Sequence, residues 1–144
     1  MSDFSCYVRV RNKSNHSLTI ALAANEGSWQ EPIVNSLQAL EISPWMRLED
    51  PSGPYGSSGS ISVSVDGTDV SLQGSFEDPY VESNSANASA EGLTSTQSWI
   101  FEGAVESPDD FEEGSVPGSG HPVYIRYTFT DTAGPEFTPP ADAG

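Results

Sequence analysis

The sequence predicts an all-β protein, an antiparallel two-sheet β-sandwich of about seven strands. Apolar and polar residues alternate with a period of two in several short segments, and turn-forming residues separate these segments. No segment has the 3.6-residue period of an amphipathic helix. Loops of variable length favour a sandwich over an up-and-down barrel. The 144-residue chain is predicted to form one domain over residues 1–130, followed by a Pro- and Gly-rich tail over residues 131–144.

Three strands are predicted in the first third of the chain. Residues 4–10 alternate, with apolar side chains facing inward and a basic face in solvent. The same alternation resumes at residues 18–22 after a polar turn, so we expect these two strands to pair as a hairpin. Leu40 and Ile42 predict a third, short strand that ends at Pro44.

The later strands are marked more clearly. Asp66-Gly67 separates alternating segments at 61–65 and 70–76, and this dipeptide supplies the positive φ angles of a tight hairpin turn. Residues 77–93 are rich in Ser, Asn and Ala, which predicts a long loop. Strands are predicted at 98–102 and at 123–130, separated by an acidic loop over 106–120.

The charge of the chain restricts its partners. Twenty-one acidic residues against five basic ones give a net charge of -16. This charge repels phosphate backbones and anionic lipid headgroups, so we expect no nucleic-acid partner and no membrane binding through a basic patch. The N-terminal residues lack the features of a secretory signal, which predicts a cytoplasmic protein and leaves release by a non-classical route open.

No catalytic or metal-binding motif is present. The two histidines, His16 and His121, have no metal-ligand spacing, and a single cysteine cannot form a thiolate zinc site. We therefore expect no enzyme activity, no cofactor and no metal. The acidic clusters at 77–82 and 109–113 are interpreted as solvated loops. The alternative is a calcium site, which would need both loops to converge.

Cys6 is the only cysteine, so no intrachain disulfide can form. One interpretation is a small buried hydrophobic residue. The other is an intermolecular bridge in a homo-oligomer or a larger assembly.

Four aromatic residues lie in Pro- and Gly-rich segments outside the alternating strands: Trp29, Trp45, Tyr55 and Tyr80. Aromatic residues in such positions either cap the ends of a sandwich core or form an exposed cluster that binds a sugar, a lipid headgroup or another copy. They are the candidate ligand-binding residues.

Three segments carry a resemblance to a known family: Val10 to Ser14, Gly53 to Ser60, and Phe76 to Tyr80 followed by Ser83-Asn84. They resemble the first strand and Asn turn, the Gly/Ser-rich turn, and the aromatic-acid-Pro-aromatic stretch of the aegerolysins, small acidic β-sandwich proteins. The chain departs from that family in lacking its mid-chain cysteines and in having Tyr80 where a Trp is expected. The resemblance implies a non-enzymatic module that binds membrane lipids, often acting with a partner protein.

Two functional hypotheses follow from the sequence. The first is a non-enzymatic β-sandwich that recognises a neutral or zwitterionic lipid or glycan surface through the four loop aromatic residues. The second is a self-assembling structural or storage protein, in which Cys6 bridges and the basic face of the first strand contacts acidic loops of another copy.

Overall fold

The computed structural model describes residues 3–51 and 55–132. Within this part of the chain there are eleven strands and no helix that could cross a membrane. The all-β prediction is confirmed, although the strands outnumber the predicted seven. In chain order they are β1 (Cys6–Lys13), β2 (Leu18–Glu26), β3 (Ser28–Gln30), β4 (Ser36–Leu37), β5 (Met46–Glu49), β6 (Ser57–Val65), β7 (Ser71–Asp78), β8 (Ser85–Glu91), β9 (Gln97–Val105), β10 (Glu112–Glu113) and β11 (Val123–Asp131).

The strands form the two layers of a β-sandwich. In the described chain, a six-stranded sheet has the order β10-β9-β11-β1-β5-β3, and a five-stranded sheet has the order β4-β2-β6-β7-β8. Neighbouring strands are antiparallel, with one exception at the centre of the six-stranded sheet. There β1 and β11 run parallel, with Cys6 opposite Val123 and Lys13 opposite Thr130.

The predicted hairpin between the first two strands is wrong. β1 pairs with β11 and β5, whereas β2 pairs with β6 and β4 in the opposite sheet. Residues 14–17 therefore cross from one layer to the other. Asn12 organises this crossing, because its side-chain amide donates to the carbonyls of His16 and Gln38 and its oxygen accepts from Ser14.

The sandwich core forms from the inward faces of both sheets. Val63 and Val65 of β6 and Ile125 and Tyr127 of β11 are at most 1% exposed, which confirms the inward faces predicted for these strands. A side chain at Gly74 would collide with the ring of Tyr127, so glycine allows β7 to pass close to β11. The predicted hairpin at Asp66-Gly67 is also confirmed, and Gly67 has a φ of 75°.

Several short strands differ from the prediction. Ile42 forms only an isolated bridge with Arg11, and the strand in this region is β5. The segment predicted as a loop at 77–93 contains β8, in which Ala86 and Ala88 pack against the core. The short strands β3 and β10 lie within segments that were expected to be irregular.

The last described strand ends close to the predicted C-terminal boundary of the domain. β11 extends to Asp131, one residue past the predicted end of the domain. The predicted tail is outside the described residues from position 133 onward, and so are Gly53 and Pro54 of the Gly/Ser-rich turn.

Candidate functional site

Two loops meet at the end of the sandwich where β6 begins and β7 ends. Ser57 is opposite Asp78 in the β6–β7 ladder, so Tyr55 before β6 lies near Tyr80 and Val81 after β7. These three side chains are 55%, 51% and 83% exposed, respectively. We call the three residues the tip. Large apolar side chains held in solvent on adjacent loops are typical of a contact surface.

An open cleft of about 200 Å³ lies beside the tip. Tyr55 and Tyr80 line it together with three carboxylate residues, Glu26, Glu77 and Glu82. Its described lining contains no Lys or Arg. Carboxylates attract a cationic group, and the faces of aromatic rings bind one through cation–π interactions. The cleft therefore suits an ammonium group.

A larger groove of about 580 Å³ lies along β2. It is lined by aliphatic residues, among them Ile20, Leu22, Ile33 and Val34, and its described lining carries no charge and no aromatic ring. A groove of this composition offers apolar contact but nothing to select a headgroup or a sugar. The smaller cleft beside the tip is therefore the better candidate for specific recognition.

A buried ion-pairing contact lies beneath the tip. Asp78, the last residue of β7, is 0% exposed, and its Oδ1 is hydrogen-bonded to Nδ1 of His121. Its Oδ2 is buried and has no hydrogen-bond partner among the described residues. Burial raises the pKa of Asp78 to about 7; the hydrogen bond and charge of His121 act in the opposite direction, while Asp3 and Asp50 add to the rise.

Ring contacts connect this pair to the exposed tip. The ring of Phe4 lies 4.2 Å from the ring of His121 and 5.3 Å from the ring of Tyr80, measured between centroids. Asn84 holds the same two loops together, because its Nδ2 donates to the carbonyls of Pro117 and Gly120. The loop that carries Tyr80 and the turn before β11 are therefore packed as one unit.

Two of the four predicted binding residues lie away from the tip. Trp29 in β3 packs edge-on against Phe76 of the core, and its Nε1 donates to the carbonyl of Ala23. Trp45 lies on the outer face of the six-stranded sheet, in contact with Tyr124. The structure brings Tyr55 and Tyr80 together and separates both tryptophans from them.

The outer face of the six-stranded sheet carries all five basic residues of the chain: Arg9, Arg11, Lys13, Arg47 and Arg126. The prediction that the basic face of β1 is open to solvent is wrong for Arg11, which is only 5% exposed. The Arg9 guanidinium lies 4.8 Å from the centre of the Trp45 ring, and that of Arg126 lies 3.8 Å from the centre of the Phe111 ring.

Carboxylates neutralise several of these cations. Glu102 accepts from Nε of Arg126 at 2.8 Å and from Arg11 at 3.4 Å, and Asp3 contacts Arg47 at 3.3 Å. Guanidinium groups paired with carboxylates and covered by rings stabilise the sheet face locally. Such groups are poorly placed to receive acidic loops of a second copy.

Cys6 lies in β1 between β5 and β11 and is 0% exposed. Ser57 Oγ is 3.4 Å from its Sγ, and burial raises the pKa of the thiol to about 12. A buried, protonated thiol is a poor nucleophile for disulfide formation. This position favours the interpretation of Cys6 as a core residue over an intermolecular bridge.

The acidic loops do not assemble a ligand cage in the described chain. No group of three or more His, Cys, Asp or Glu residues there is arranged to hold a metal ion. Asp109 accepts a hydrogen bond from Ser107, and Glu112 accepts one from Ser115, within their own loop.

Sequence reasoning missed the contact between Asp78 and His121. Asp78 was seen as part of an acidic loop and His121 as an isolated histidine beside Pro122. The two residues are 43 positions apart and meet because the C-terminal end of β7 and the N-terminal end of β11 lie at the same end of the sandwich. No local sequence pattern predicts this contact.

Comparison with known proteins identifies the fold of this chain but does not assign the chain to a family. No protein-family model matches the sequence, and no characterised protein matches it significantly. A lipid binding protein, Nakanori, is similar in structure, with a TM-score of 0.60 and 9% sequence identity over 88% of this chain and 70% of that one.

Two further solved structures are similar to this chain. IP-1A from Alcaligenes faecalis has a TM-score of 0.62 at 10% identity, covering 90% of this chain and 91% of that one. RahU protein, solved in complex with a TRIS molecule, has a TM-score of 0.57 at 15% identity, covering 90% and 96%. At these identities the likeness shows the fold: the chain is a β-sandwich of the kind that a lipid binding protein also has.

Proposed function

We propose that this protein is a non-enzymatic module that binds zwitterionic lipid surfaces through the tip formed by Tyr55, Tyr80 and Val81. The observation that carries the proposal is the exposure of these three side chains on adjacent loops, beside an acidic cleft. The fold shared with a lipid binding protein supports it, and so does the resemblance of the segments around Asn12, Gly56 and Asp78 to the aegerolysins.

The tip has the composition of a membrane-contacting surface. Val81 supplies an aliphatic side chain, and the two tyrosines supply rings with a polar end, which suit the boundary between headgroups and acyl chains. Transfer of such side chains out of water contributes about 1.5–3 kcal/mol for each one that is fully buried. Three side chains of this kind are enough for reversible attachment.

The charges favour a zwitterionic headgroup over an anionic one. Glu26, Glu77 and Glu82 line the cleft without a described cation among them, and the whole chain carries a net charge of -16. An anionic membrane surface would repel such a chain, whereas the ammonium group of a zwitterionic lipid fits between the carboxylates and tyrosine rings.

Vesicle binding tests the proposal. We expect the protein to co-sediment with vesicles of phosphatidylcholine or phosphatidylethanolamine and to bind vesicles rich in phosphatidylserine more weakly. The double variant Tyr80→Ala, Val81→Ser should weaken binding about tenfold or more, because it removes at least 1.4 kcal/mol of apolar contact.

A matched control comes from the opposite end of the sandwich. Leu93 follows β8 there and is 41% exposed, so Leu93→Ser removes an exposed apolar side chain outside the tip. It should leave binding unchanged. An equal loss with Leu93→Ser would contradict the placement of the site, and absence of binding to every vesicle would refute lipid recognition. Binding to a glycan array that Tyr80→Ala abolishes, without vesicle binding, would assign the tip to sugars instead.

Two observations weaken the support for the alternative function, self-assembly. Cys6 is buried, and three of the basic residues are paired with carboxylates of their own chain. We therefore do not propose assembly as the function.

A further inference from the structure

A carboxyl group with no access to water lies directly under the tip. Asp78 is 0% exposed, shares one hydrogen bond with His121, and has a buried Oδ2 without a partner among the described residues. A buried carboxylate is strongly destabilised unless its charge is matched or a proton neutralises it. The protonation state of this pair therefore affects how firmly its surroundings pack.

The groups that face Asp78 increase this sensitivity. His121 approaches from the turn before β11, Asp3 from the segment before β1, Asp50 from the segment after β5, and the thiol of Cys6 from β1. Two of these four are carboxylates, and His121 is the only one that can carry a positive charge. Loss of a proton from the Asp78–His121 pair leaves an excess of negative charge in a buried place.

The pair is mechanically connected to the tip. Asp78 is followed at once by Pro79 and Tyr80, and the ring of Phe4 packs between His121 and Tyr80. The contact between Asp78 and His121 is one of the links that hold the Tyr80 loop to the turn before β11. Asn84 supplies further links, through its side chain to Pro117 and Gly120 and through its backbone N–H to Gly118.

We propose that Asp78 and His121 form a proton-operated latch, which fastens the Tyr80 loop when the pair holds a proton and loosens it when that proton is lost. The elevated pKa of Asp78, about 7, places the change near neutral pH. The latch is a property of the folded chain and does not depend on a ligand. Its effect on lipid attachment rests on the function proposed above: a loosened tip must be ordered on binding, so affinity falls as pH rises.

Hydrogen exchange and carboxyl NMR test the latch without any lipid. In the wild-type protein, the ¹³C carboxyl signal of Asp78 should titrate between about pH 6 and 8. The Asn84 amide donates to the Gly118 carbonyl, and its protection factor, corrected for intrinsic exchange, should fall roughly tenfold or more between pH 5.5 and 8 because opening is linked to proton release. An Asp78 signal that titrates near pH 4, or protection that does not change with pH, overturns the proposal.

Variants assign the effect to the pair. Asp78→Asn keeps the shape and removes the titration, so the protection of the Asn84 amide should become independent of pH. Asp69→Asn, a change at an exposed site at the other end of the sandwich, should behave as the wild type. If Asp78→Asn does not fold, the wild-type titration still decides the question. Retention of the full pH dependence in a folded Asp78→Asn protein contradicts the latch.

Binding to phosphatidylcholine vesicles at pH 6 and pH 8 then separates the two proposals. Weaker binding at pH 8 in the wild type, and equal binding in Asp78→Asn, supports both. Vesicle binding that is absent at both pH values removes the proposed function and leaves the latch standing on the exchange data. Binding that is present but independent of pH in the wild type contradicts the coupling between latch and tip.

Discussion

A buried aspartate contacts a histidine at each end of the sandwich, and the two contacts differ in how the aspartate is hydrogen-bonded. At the end opposite the tip, Asp131 is 4% exposed and accepts hydrogen bonds from His16, Thr96 and Gln97 at 2.9–3.1 Å. Beneath the tip, His121 is the described hydrogen-bond donor to Asp78, and one oxygen is left without a described partner.

The comparison shows that the same pair of residue types performs two tasks. The donors His16 in the crossing between the sheets, Thr96 in the turn before β9 and Gln97 at the start of β9 make Asp131 a fixed crosslink from β11 to these segments. Asp78 has one described hydrogen-bond partner, so the stability of its buried carboxyl group depends on whether the pair carries a proton. Hydrogen bonding, more than burial, distinguishes a structural aspartate from a responsive one.

Removal of a core side chain between the two ends should have the largest effect. Ile125 lies in β11 and is 0% exposed, so Ile125→Ala should lower the free energy of unfolding by about 2–5 kcal/mol. Urea unfolding followed by fluorescence measures this loss. A loss below 1 kcal/mol would contradict the burial of this side chain in the core.

Asp131→Ala should have the next largest effect, because it leaves three donors without their acceptor. We expect a loss of about 2–3 kcal/mol in the free energy of unfolding at pH 7. Asp69→Ala, an exposed change at the same end, is the control and should cost less than about 0.5 kcal/mol. If the two variants were equally stable, Asp131 would not be a crosslink.

The pH dependence of stability should distinguish the two aspartates. The pKa of Asp78 in the folded state, about 7, lies above its ordinary value of 3.8. Its contribution to stability is therefore full below about pH 4 and is lost as the pH rises to about 7. Between pH 5 and pH 8, the wild type should lose about 2 kcal/mol more than Asp78→Asn. Urea midpoints at both pH values measure the difference, and parallel pH profiles would contradict it.

Changes at the tip should have the smallest effect on stability. Val81 is 83% exposed, so Val81→Ser should alter the free energy of unfolding by less than about 0.5 kcal/mol. The same urea experiment measures it. A larger loss would show that the tip is part of the packed structure and that its exposure does not serve contact with another molecule.

The sequence predicts the faces of the strands better than their partners. Alternation at 4–10 and 18–22 correctly places Val8, Val10, Leu18 and Ile20 in the core. It says nothing about which strand lies alongside, because every inward-facing strand of a sandwich has the same pattern. The pairing of β1 with β11 is a contact between distant parts of the chain.

The sequence does not predict β8, because the inward-facing side chains of this strand are small. β8 alternates Ala86, Ala88 and Ala90 with polar residues, but alanine contributes too little hydrophobicity to mark a strand. Pairing with β7 places Ala86 and Ala88 of this strand against the core. Tertiary context, and not local preference, makes this segment a strand.

The candidate site was predictable in part. The sequence leaves open whether the aromatic residues in turn-rich segments cap the core or are exposed, and in the structure Tyr55 and Tyr80 are exposed and line the same cleft. Trp29 and Trp45 have the same sequence context, yet one packs on Phe76 and the other on Tyr124. Composition identifies a loop aromatic residue, but only the paths of the surrounding strands decide whether a ring reaches solvent.

The parallel pairing of β1 with β11 also constrains the order in which the protein can assemble during synthesis. β2, β6, β7 and β8 form most of one sheet, and β6, β7 and β8 follow one another in the chain through short connections. β1 meets its central neighbour only after more than a hundred further residues have been made. Closing so long a loop delays the contact. The five-stranded sheet can therefore form on the nascent chain before β11 has been synthesised. During that time the apolar inner face of β1 lacks its central neighbour, so we expect a chaperone to bind this segment.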